Sequence, residues 1–370
     1  MPRPRPLSLA SLLTILLGPC LAGAAPKEGP PPLFPRALAP GDTIMFVAPA
    51  KYLDQPRNQL ARLRLQRMGF KVVFPQNLFR KHGYLAGTDA ERAAEINAAF
   101  ADPAVDAVFP GTGGYGTTRI IDDLDYDIVR HNPKIFIGFS DITGLHIAIN
   151  QQTGLVTFHS PVPEYGLGNS DNFKPWPGHW FWRALLAKEY GSAIGYKILA
   201  MPTNEERAAD PDLYHKVPSA ETLVGGTARG RLIGGNLSVL HAMMGSPYEI
   251  ETDGKILFLE DVGEDPYRID RMLSTLKLAG KFDHVNGVIL GHFTRRRGEQ
   301  KWSDDWSMDD VLDEYFAGLG VPVLKDFPVG HVSYNTTLPV GAEVELDATK
   351  GTLQVLENPV ELPARSKEKK

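Results

Sequence analysis

The stretch Lys134-Ile-Phe-Ile-Gly138-Phe-Ser140-Asp141-Ile-Thr143 decides the fold. Its apolar start predicts a buried strand, and Gly138 is typical of a tight turn. The residues that follow place Leu145 and Ile149 at helical spacing, which predicts a helix directly after the turn. A buried strand that passes through a glycine turn into a helix is the repeating unit of a parallel sheet.

The same alternation extends through the N-terminal half of the chain. Short apolar runs predict strands, and apolar residues at helical spacing predict helices. The predicted strands are Thr43–Ala48, Lys71–Phe74, Val105–Phe109 and Lys134–Ile137, and the predicted helices include Gln55–Met68 and Asp89–Phe100. The fold class is therefore α/β, with helices on both faces of a parallel sheet. In such sheets the binding residues lie just beyond the carboxyl ends of the strands.

Changes in composition divide the chain into segments. Residues 166–222 are rich in asparagine and proline, with one aromatic helix near Trp180–Lys188, and predict a connection between two domains. Periodicity then returns, with predicted helices at Asn236–Met244, Tyr267–Leu278 and Met308–Phe316 and a closing hairpin of Ala342–Leu346 with Leu353–Leu356. The predicted segments are a proline-rich extended lead-in at 25–40, a first domain at 41–165, the connection at 166–222, a second domain at 223–361 and a disordered tail at 362–370.

Composition excludes several classes of function. The chain has 370 residues, of which 43% are hydrophobic and 22% charged, which is typical of a soluble globular protein. The net charge of −5 provides no basic field for nucleic acid or an anionic membrane. Cys20 is the only cysteine, so a disulfide framework, a thiolate zinc site and an iron–sulfur cluster are excluded. The histidines are scattered and no H-E-x-x-H motif occurs, so we expect neither a metal nor another cofactor.

The N-terminus has the features of a secretory signal peptide. Arg3 and Arg5 precede a mostly apolar run from Leu7 to Leu21. The small residues Ala22-Gly-Ala24-Ala25 follow and are typical of a signal-peptide cleavage site. A transmembrane anchor is one alternative, but the run is short and Gly18-Pro19 interrupts it. A lipid-attached Cys20 is another, although Pro19 directly before it is unfavourable. We therefore predict a signal peptide over residues 1–24, with cleavage after Ala24 or Ala25. The processed chain would be periplasmic or secreted without a membrane span, and cytoplasmic if the leader is not used.

The first candidate functional motif is Gly111-Thr-Gly113-Gly114-Tyr-Gly116, which directly follows a predicted strand. It matches G-x-G-x-x-G, the pattern that brings backbone close to a pyrophosphate at a helix N-terminus. However, it follows the third strand rather than the first. A loop whose N–H groups stabilise an oxyanion is a second interpretation, and a plain tight turn that needs positive φ is a third.

Ser140 is the second candidate. A serine between a buried strand and a helix has the context of a nucleophile elbow, and the amide of Asp141 would then point toward an oxyanion. The match to G-x-S-x-G is incomplete because Ile142 replaces the second glycine. The alternative is that Ser140 only caps the helix.

A serine nucleophile needs a base and an orienting carboxylate. His331 follows a predicted strand and is the candidate base. Glu260 follows the apolar run Ile256–Leu259, where a carboxylate is either a helix N-cap or a site residue. Residues this far apart in sequence carry no information about proximity.

From about Gly41 to Val355 the chain resembles the LD-carboxypeptidase family, the muramoyltetrapeptide carboxypeptidases, which includes the microcin self-immunity peptidases. The resemblance depends on short motifs in a specific order: Gly113-Gly-Tyr-Gly116, Gly138-Phe-Ser140-Asp141, Thr157-Phe-His159, Gly234-Gly-Asn236, Leu259-Glu260-Asp261, Gly330-His331 and Leu338-Pro-Val-Gly341. Two positions depart from the family pattern, Thr112 in place of arginine and Ser160 in place of glycine. Both departures concern the choice of substrate more than the reaction.

The resemblance implies a fold and a site. The implied fold is a Rossmann-like parallel-sheet domain followed by a β-rich, swivelling barrel-like α/β domain. The implied triad is Ser140 as nucleophile, His331 as base and Glu260 as its orienting carboxylate, shared between the two domains. The amides of Asp141, Gly113 and Gly114 would bind the oxyanion. Arg119 is a candidate partner for the substrate's terminal carboxylate, although a helix-surface arginine is an equal interpretation.

The implied reaction is hydrolysis of the L,D-amide that joins a terminal D-alanine to a peptidoglycan tetrapeptide. The partner would be this small peptide, and a homodimer is one option for the assembly. A self-immunity-type amide hydrolase with the same triad is one alternative. The other is an exported, non-catalytic muropeptide-binding protein in which Ser140 only caps its helix.

Overall fold

The computed structural model describes residues 29–169, 173, 175–189, 194–214, 216–294 and 306–363. The predicted leader and most of the predicted tail lie outside these residues. Strands and helices alternate over the first domain as predicted. These elements are β1 (Thr43–Val47), α1 (Gln55–Arg67), β2 (Lys71–Val73), α2 (Asp89–Ala101), β3 (Ala107–Pro110), α3 (Tyr126–His131), β4 (Ile135–Gly138), α4 (Thr143–Thr153) and β5 (Thr157–His159).

The rest of the described chain contributes nine strands and six helices. Before the second domain these are α5 (Pro175–Leu185), β6 (Tyr196–Leu199), α6 (Asn204–Ala209) and α7 (Pro211–Tyr214). The second domain contains β7 (Glu221–Val224), β8 (Thr227–Asn236), α8 (Leu237–Met243), β9 (Ile256–Val262), α9 (Pro266–Leu278), β10 (Gly287–Thr294), α10 (Met308–Phe316), β11 (Val323–Lys325), β12 (Leu338–Val340), β13 (Glu343–Asp347) and β14 (Thr352–Val355).

The first sheet has the order β12-β5-β4-β3-β1-β2. Strands β1 to β5 are parallel, so their carboxyl ends share one edge. Strands β3 and β4 are buried at every position, as expected for a sheet that helices cover on both faces. The loops that follow β1, β3 and β4 therefore converge at the carboxyl edge. The α/β prediction is confirmed.

The second sheet has eight strands in the order β6-β14-β13-β8-β9-β10-β11-β7. Its centre, β8 to β11, is parallel, and β13 and β14 form the predicted hairpin as an antiparallel pair. Among the described strands, β6 and β7 each have one neighbour and are its edges. The buried strand β9 lies at the centre of this sheet.

Two segments cross the predicted domain boundaries. Strand β12, from the C-terminal segment, pairs antiparallel with β5 in the first sheet, and β6, from the predicted connection, pairs with β14 in the second. The lead-in is also held in place, because Leu33 bridges to Leu155 and Leu38 bridges to Leu186. Apolar periodicity identifies a strand but not its partner, which explains why these pairings were not predicted.

The two sheets meet close to the elbow after β4. Helix α4 packs against β8 and α8. The amide of Asn236 donates a 3.0 Å hydrogen bond to the hydroxyl of Thr143. A Cβ at Gly235 would lie 2.6 Å from the Thr143 side chain, so glycine is needed for this close approach. The contact fixes the end of β8 against the start of α4.

Candidate active site

Ser140 lies in a sharp turn between a buried strand and a helix. Strand β4 ends at Gly138, and a 3-10 turn over Ser140–Ile142 leads into α4. Ser140 has a φ of 63°, a left-handed conformation that costs an L-residue about 1–2 kcal/mol. A strained serine at the carboxyl end of a parallel strand is the arrangement that exposes a nucleophile above a sheet.

The Ser140 hydroxyl does not cap the helix. Neither the 3-10 turn nor α4 has a side-chain hydrogen bond at its N-cap. Ser140 Oγ instead lies 2.9 Å from Nε2 of His331. The hydroxyl therefore faces a titratable group from the other end of the chain.

Glu260 is fully buried in β9, in register with Asn236 of β8. It does not cap the next helix, because the N-cap of α9 is Asp265. Its Oε2 lies 2.7 Å from Nδ1 of His331. A Cβ at Gly330, which has a φ of 113°, would lie 2.9 Å from that same oxygen. Only glycine allows the backbone before His331 to pass this close to the carboxylate.

His331 connects the two side chains. With its proton on Nδ1, the neutral imidazole donates to the Glu260 carboxylate and accepts from the Ser140 hydroxyl at Nε2. The ring of Phe139 packs against it at 4.8 Å between centroids. One continuous chain of hydrogen bonds thus runs from a hydroxyl of the first domain to a buried carboxylate of the second.

The carboxylates around His331 favour its charged form. Burial lowers the pKa of His331, but the charge and hydrogen bond of Glu260 outweigh burial, and the pKa is raised overall. The neighbouring Asp261 points away from the imidazole and accepts hydrogen bonds from the amide and hydroxyl of Ser238. Burial, with a contribution from Glu260, raises the pKa of Asp261 to about 6. Glu260 can therefore stabilise an imidazolium that forms during a reaction.

The glycine loop after β3 lies directly against the elbow. A Cβ at Gly113 would be 3.1 Å from Cβ of Ser140 and 3.5 Å from the amide nitrogen of Asp141. The amides of Gly114 and Asp141 donate no hydrogen bond to any described residue. Gly116 is followed by a three-residue 3-10 turn instead of a helix that could bind a pyrophosphate. The geometry thus favours the oxyanion interpretation of this loop.

Two buried side chains hold the glycine loop in place. The Asp141 carboxylate accepts a 2.9 Å hydrogen bond from the amide of Thr117. The fully buried guanidinium of Arg92 donates to the carbonyl of Gly116 at 2.8 Å and to the carbonyl of Pro49. Arg92 therefore ties the glycine loop to the loop after β1.

A cavity of about 520 Å³ opens beside Ser140 and His331. Residues from the loops after β1, β3 and β4 line it, including Lys51, Thr112, Gly113 and Gly114. The cavity is also lined by Tyr165, Asn169, Phe173, Val262 and the segment Val332–Ser333. The cavity lies at the carboxyl edge of the first sheet, where the parallel arrangement predicts a binding site.

Arg119 does not line this cavity. Its guanidinium makes a bidentate pair with Asp89 at the start of α2, with 3.0 Å from Nε to Oδ1 and 2.8 Å from Nη2 to Oδ2. The side chain of Arg119 is 44% exposed. The pairing with Asp89 favours the interpretation of Arg119 as a surface arginine over a partner for the substrate's carboxylate. Lys51 lies in the cavity instead.

Two histidines are buried behind the triad, and one of them, His146, is bonded to the end of β4. His146 donates from Nε2 to the carbonyl of Gly138 at 2.8 Å and accepts from the Thr157 hydroxyl at 2.9 Å. Burial lowers the pKa of His146 to about 4 and that of His159 well below its usual value.

Within the described ranges, no group of three or more metal-ligating side chains occurs. Those ranges also include no helix long and apolar enough to cross a membrane.

Sequence reasoning missed several residues that form the site. Lys51 could have been found, because it follows β1 at the edge where strand ends converge. Arg92 gave no signal, since its role depends on contacts with distant backbone. Gly330 belonged to the Gly330-His331 motif, but its close approach to Glu260 was not predicted. The same holds for Asn335, whose Oδ1 accepts a 3.0 Å hydrogen bond from the Gly330 amide and supports the turn before His331.

Comparison with known families agrees with this geometry. Residues 44–160 match the LD-carboxypeptidase N-terminal domain, and residues 229–346 match the LD-carboxypeptidase C-terminal domain. The chain belongs to the LD-carboxypeptidase family. Membership confirms the resemblance and makes the chain a serine-type carboxypeptidase, which removes the non-catalytic binding protein from the alternatives.

Relatives from both branches of the LD-carboxypeptidase family are similar over most of the chain. The probable murein peptide carboxypeptidase of Bacillus subtilis is 39% identical over 318 residues, covering 86% of this chain and 92% of that one. The microcin C7 self-immunity protein MccF of Escherichia coli is 32% identical over 342 residues, covering 88% and 96%.

Solved structures give the same result for the fold. MccF in complex with aspartyl sulfamoyl adenosine superposes with a TM-score of 0.77 at 29% identity, covering 89% of this chain and all of that one. The muramoyltetrapeptide carboxypeptidase of Oxalobacter formigenes superposes with a TM-score of 0.70 at 28% identity, covering 87% of this chain and all of that one.

Proposed function

We propose that the protein hydrolyses the amide between an L-configured residue and the terminal D-alanine of a peptidoglycan tetrapeptide. The observation that carries the proposal is the hydrogen-bond chain Ser140–His331–Glu260, at 2.9 and 2.7 Å. The name of the Bacillus subtilis relative, a probable murein peptide carboxypeptidase, supports this choice of substrate.

The first half of the reaction is acylation. Ser140 Oγ attacks the carbonyl carbon of the scissile amide while Nε2 of His331 takes the hydroxyl proton. Glu260 stabilises the resulting imidazolium. The oxyanion accepts hydrogen bonds from the amides of Asp141 and the Gly113–Gly114 turn, each worth about 3 kcal/mol. The C–N bond then breaks, His331 returns the proton to the amine of D-alanine, and the shortened peptide stays as an ester on Ser140.

The second half is hydrolysis of that ester. Neutral His331 removes a proton from water, and the hydroxide attacks the ester carbonyl with the same amides on the oxyanion. When the tetrahedral intermediate collapses, the proton moves from His331 to Ser140 Oγ. The tripeptide leaves and the enzyme is restored, without any step that needs a metal.

The test is release of D-alanine from a purified disaccharide tetrapeptide. Wild type is expected to release one D-alanine per tetrapeptide, and Ser140→Ala is expected to lose at least about 10⁴-fold in kcat. Ser219→Ala serves as the control and should retain the wild-type rate, because Ser219 is exposed and does not line the cavity. An inert wild type would refute the substrate, and an active Ser140→Ala would refute the triad.

A second candidate activity is cleavage of a self-immunity type of substrate by the same triad. The observation that favours it is the agreement in fold with MccF complexes that hold aminoacyl sulfamoyl nucleosides. Assaying aspartyl sulfamoyl adenosine beside the tetrapeptide separates the two. We expect the tetrapeptide to have the higher kcat/KM.

We further propose that the enzyme acts outside the cytoplasm. The proposal depends only on the charged, apolar and small-residue pattern of residues 1–25, which lie outside the described structure. N-terminal sequencing of protein from the extracytoplasmic fraction is expected to begin at Ala25 or Pro26. Recovery of all the protein in the cytoplasm with residues 1–24 intact would contradict it.

A further inference from the structure

Lys51 follows β1 and packs against the glycine loop. Its amide donates a 3.4 Å hydrogen bond to the carbonyl of Gly113. A Cβ at Gly114, which has a φ of 115°, would lie 2.6 Å from Cβ of Lys51. The two consecutive glycines therefore touch Ser140 on one side and the stem of Lys51 on the other.

The Lys51 side chain lines the cavity and makes a long ion pair with Glu164. Among the described residues that line the cavity, Lys51 is the only lysine or arginine. Its side chain is 38% exposed, and its nearest carboxylate oxygen, Oε1 of Glu164, is 3.9 Å from Nζ. That distance is too long for a hydrogen bond. Glu164 Oε2 already accepts from the amide of Asp54 at 3.0 Å.

The loop that carries Lys51 is fixed. Arg92 donates to the carbonyl of Pro49, two residues before Lys51, as well as to Gly116 of the glycine loop. Leu85 pairs with Lys51 in an isolated antiparallel bridge. The backbone of Lys51 is therefore held at a constant position relative to the oxyanion amides, while its four-carbon stem can reach across the cavity.

We propose that Lys51 binds the free carboxylate of the substrate's C-terminal residue. This contact would make the enzyme specific for peptides in which only one residue follows the scissile amide. The inference rests on the proposed function. In a terminal residue the carboxylate carbon is two bonds from the scissile nitrogen. A substrate whose carbonyl oxygen lies on the Gly113–Gly114 amides must therefore place its carboxylate close by. An ammonium at the edge of the same glycine pair neutralises that charge, whereas Arg119 is occupied by Asp89.

The experiment compares two substrates that differ only at the terminal group. L-Ala-γ-D-Glu-diaminopimelyl-D-alanine and its C-terminal D-alaninamide contain the same scissile amide, and mass spectrometry measures release of D-alanine or D-alaninamide. Wild type is expected to prefer the acid. Lys51→Met is expected to lower kcat/KM for the acid on the order of 10- to 100-fold, because a hydrogen bond to a charged group is lost. The amide should change less than about twofold.

Two further variants separate charge from packing. Lys51→Arg keeps the charge and should retain most of the preference for the acid. Lys81→Met is the matched control, because Lys81 is an exposed lysine over the Tyr52 ring and does not line the cavity. It should leave both substrates unchanged.

The outcomes distinguish this inference from the proposed function. A wild type that releases nothing from either peptide overturns both. A wild type that releases D-alanine, with the same ratio of acid to amide in Lys51→Met, overturns only the role of Lys51. If Lys51→Met does not fold, Lys51→Gln replaces it. Loss of folding in both would make Lys51 a structural residue and overturn the inference.

Discussion

Replacing Glu260 with glutamine removes one negative charge from the centre of the site and leaves its volume unchanged. The carboxylate is fully buried and bonded at 2.7 Å to Nδ1 of His331. A glutamine can present its amide N–H₂ to Nδ1 and so favour the wrong tautomer of the base. Even with the correct tautomer, the imidazolium that forms during attack loses its counter-charge.

The size of the effect follows from the separation of the charges. Two unit charges about 4 Å apart attract by about 4 kcal/mol at an effective dielectric constant of about 20. At about 1.4 kcal/mol for each tenfold change in rate, Glu260→Gln should lower kcat by about 10³-fold. KM should change little, because Glu260 does not line the cavity.

The assay is D-alanine release from the disaccharide tetrapeptide, followed by coupled oxidation of the free D-amino acid. Glu264→Gln is the matched control, because Glu264 is partly exposed and pairs with Arg268 on the surface. It should retain the wild-type rate. A Glu260→Gln variant that folds and keeps kcat within about tenfold of wild type would refute the role of the carboxylate.

Four further results are expected, and Gly245→Ala is the matched control for the second. Ser140→Gly should be more stable to urea than Ser140→Ala by about 1 kcal/mol, because glycine adopts the φ of 63° without strain, and both should be inactive; equal stabilities would contradict the strain. Gly330→Ala should lower activity at least about 10²-fold and cost about 2 kcal/mol or more of stability, since its Cβ would meet Glu260. Gly245→Ala, with a φ of 77° and open space, should cost about 1 kcal/mol and leave the rate unchanged. The acidic limb of kcat/KM should lie above pH 6.5, because Glu260 raises the pKa of a base that must be neutral. It should move to lower pH in Glu260→Gln, where the charge of Asp261 alone opposes the effect of burial on the pKa of His331. Dialysis against EDTA should leave kcat unchanged, and a loss restored by a divalent metal would contradict the serine mechanism.

The helices and strands could be predicted because capping residues, turn residues and apolar spacing act within a short stretch of sequence. Helix α10 runs from Met308 to Phe316 as predicted, since Ser307 and Asp310 form a capping box that defines its start. Ser140 was a candidate because strand, glycine turn and helix are all encoded within ten residues. Motif matches in a fixed order then pointed to the family.

Long-range contacts were not predictable from the residues alone. His331 meets Ser140 across 191 residues and Glu260 across 71, and neither separation contains information about distance. Strand β12 joins the first sheet for the same reason, since an apolar run can pair with either sheet. Arg119 and Lys51 show that the sequence does not predict which cation can bind a substrate. The answer depends on where the fold places each cation and on how closely a carboxylate pairs with it.

Trapping the covalent intermediate tests the central claim most directly. Enzyme mixed with excess tetrapeptide is quenched in acid within the first turnover, digested and analysed by mass spectrometry, while released D-alanine is counted. We expect the tripeptidyl ester on the peptide that contains Ser140, with one D-alanine released for each ester formed. An ester on another residue, or release of D-alanine with no ester at any quench time, would contradict the account.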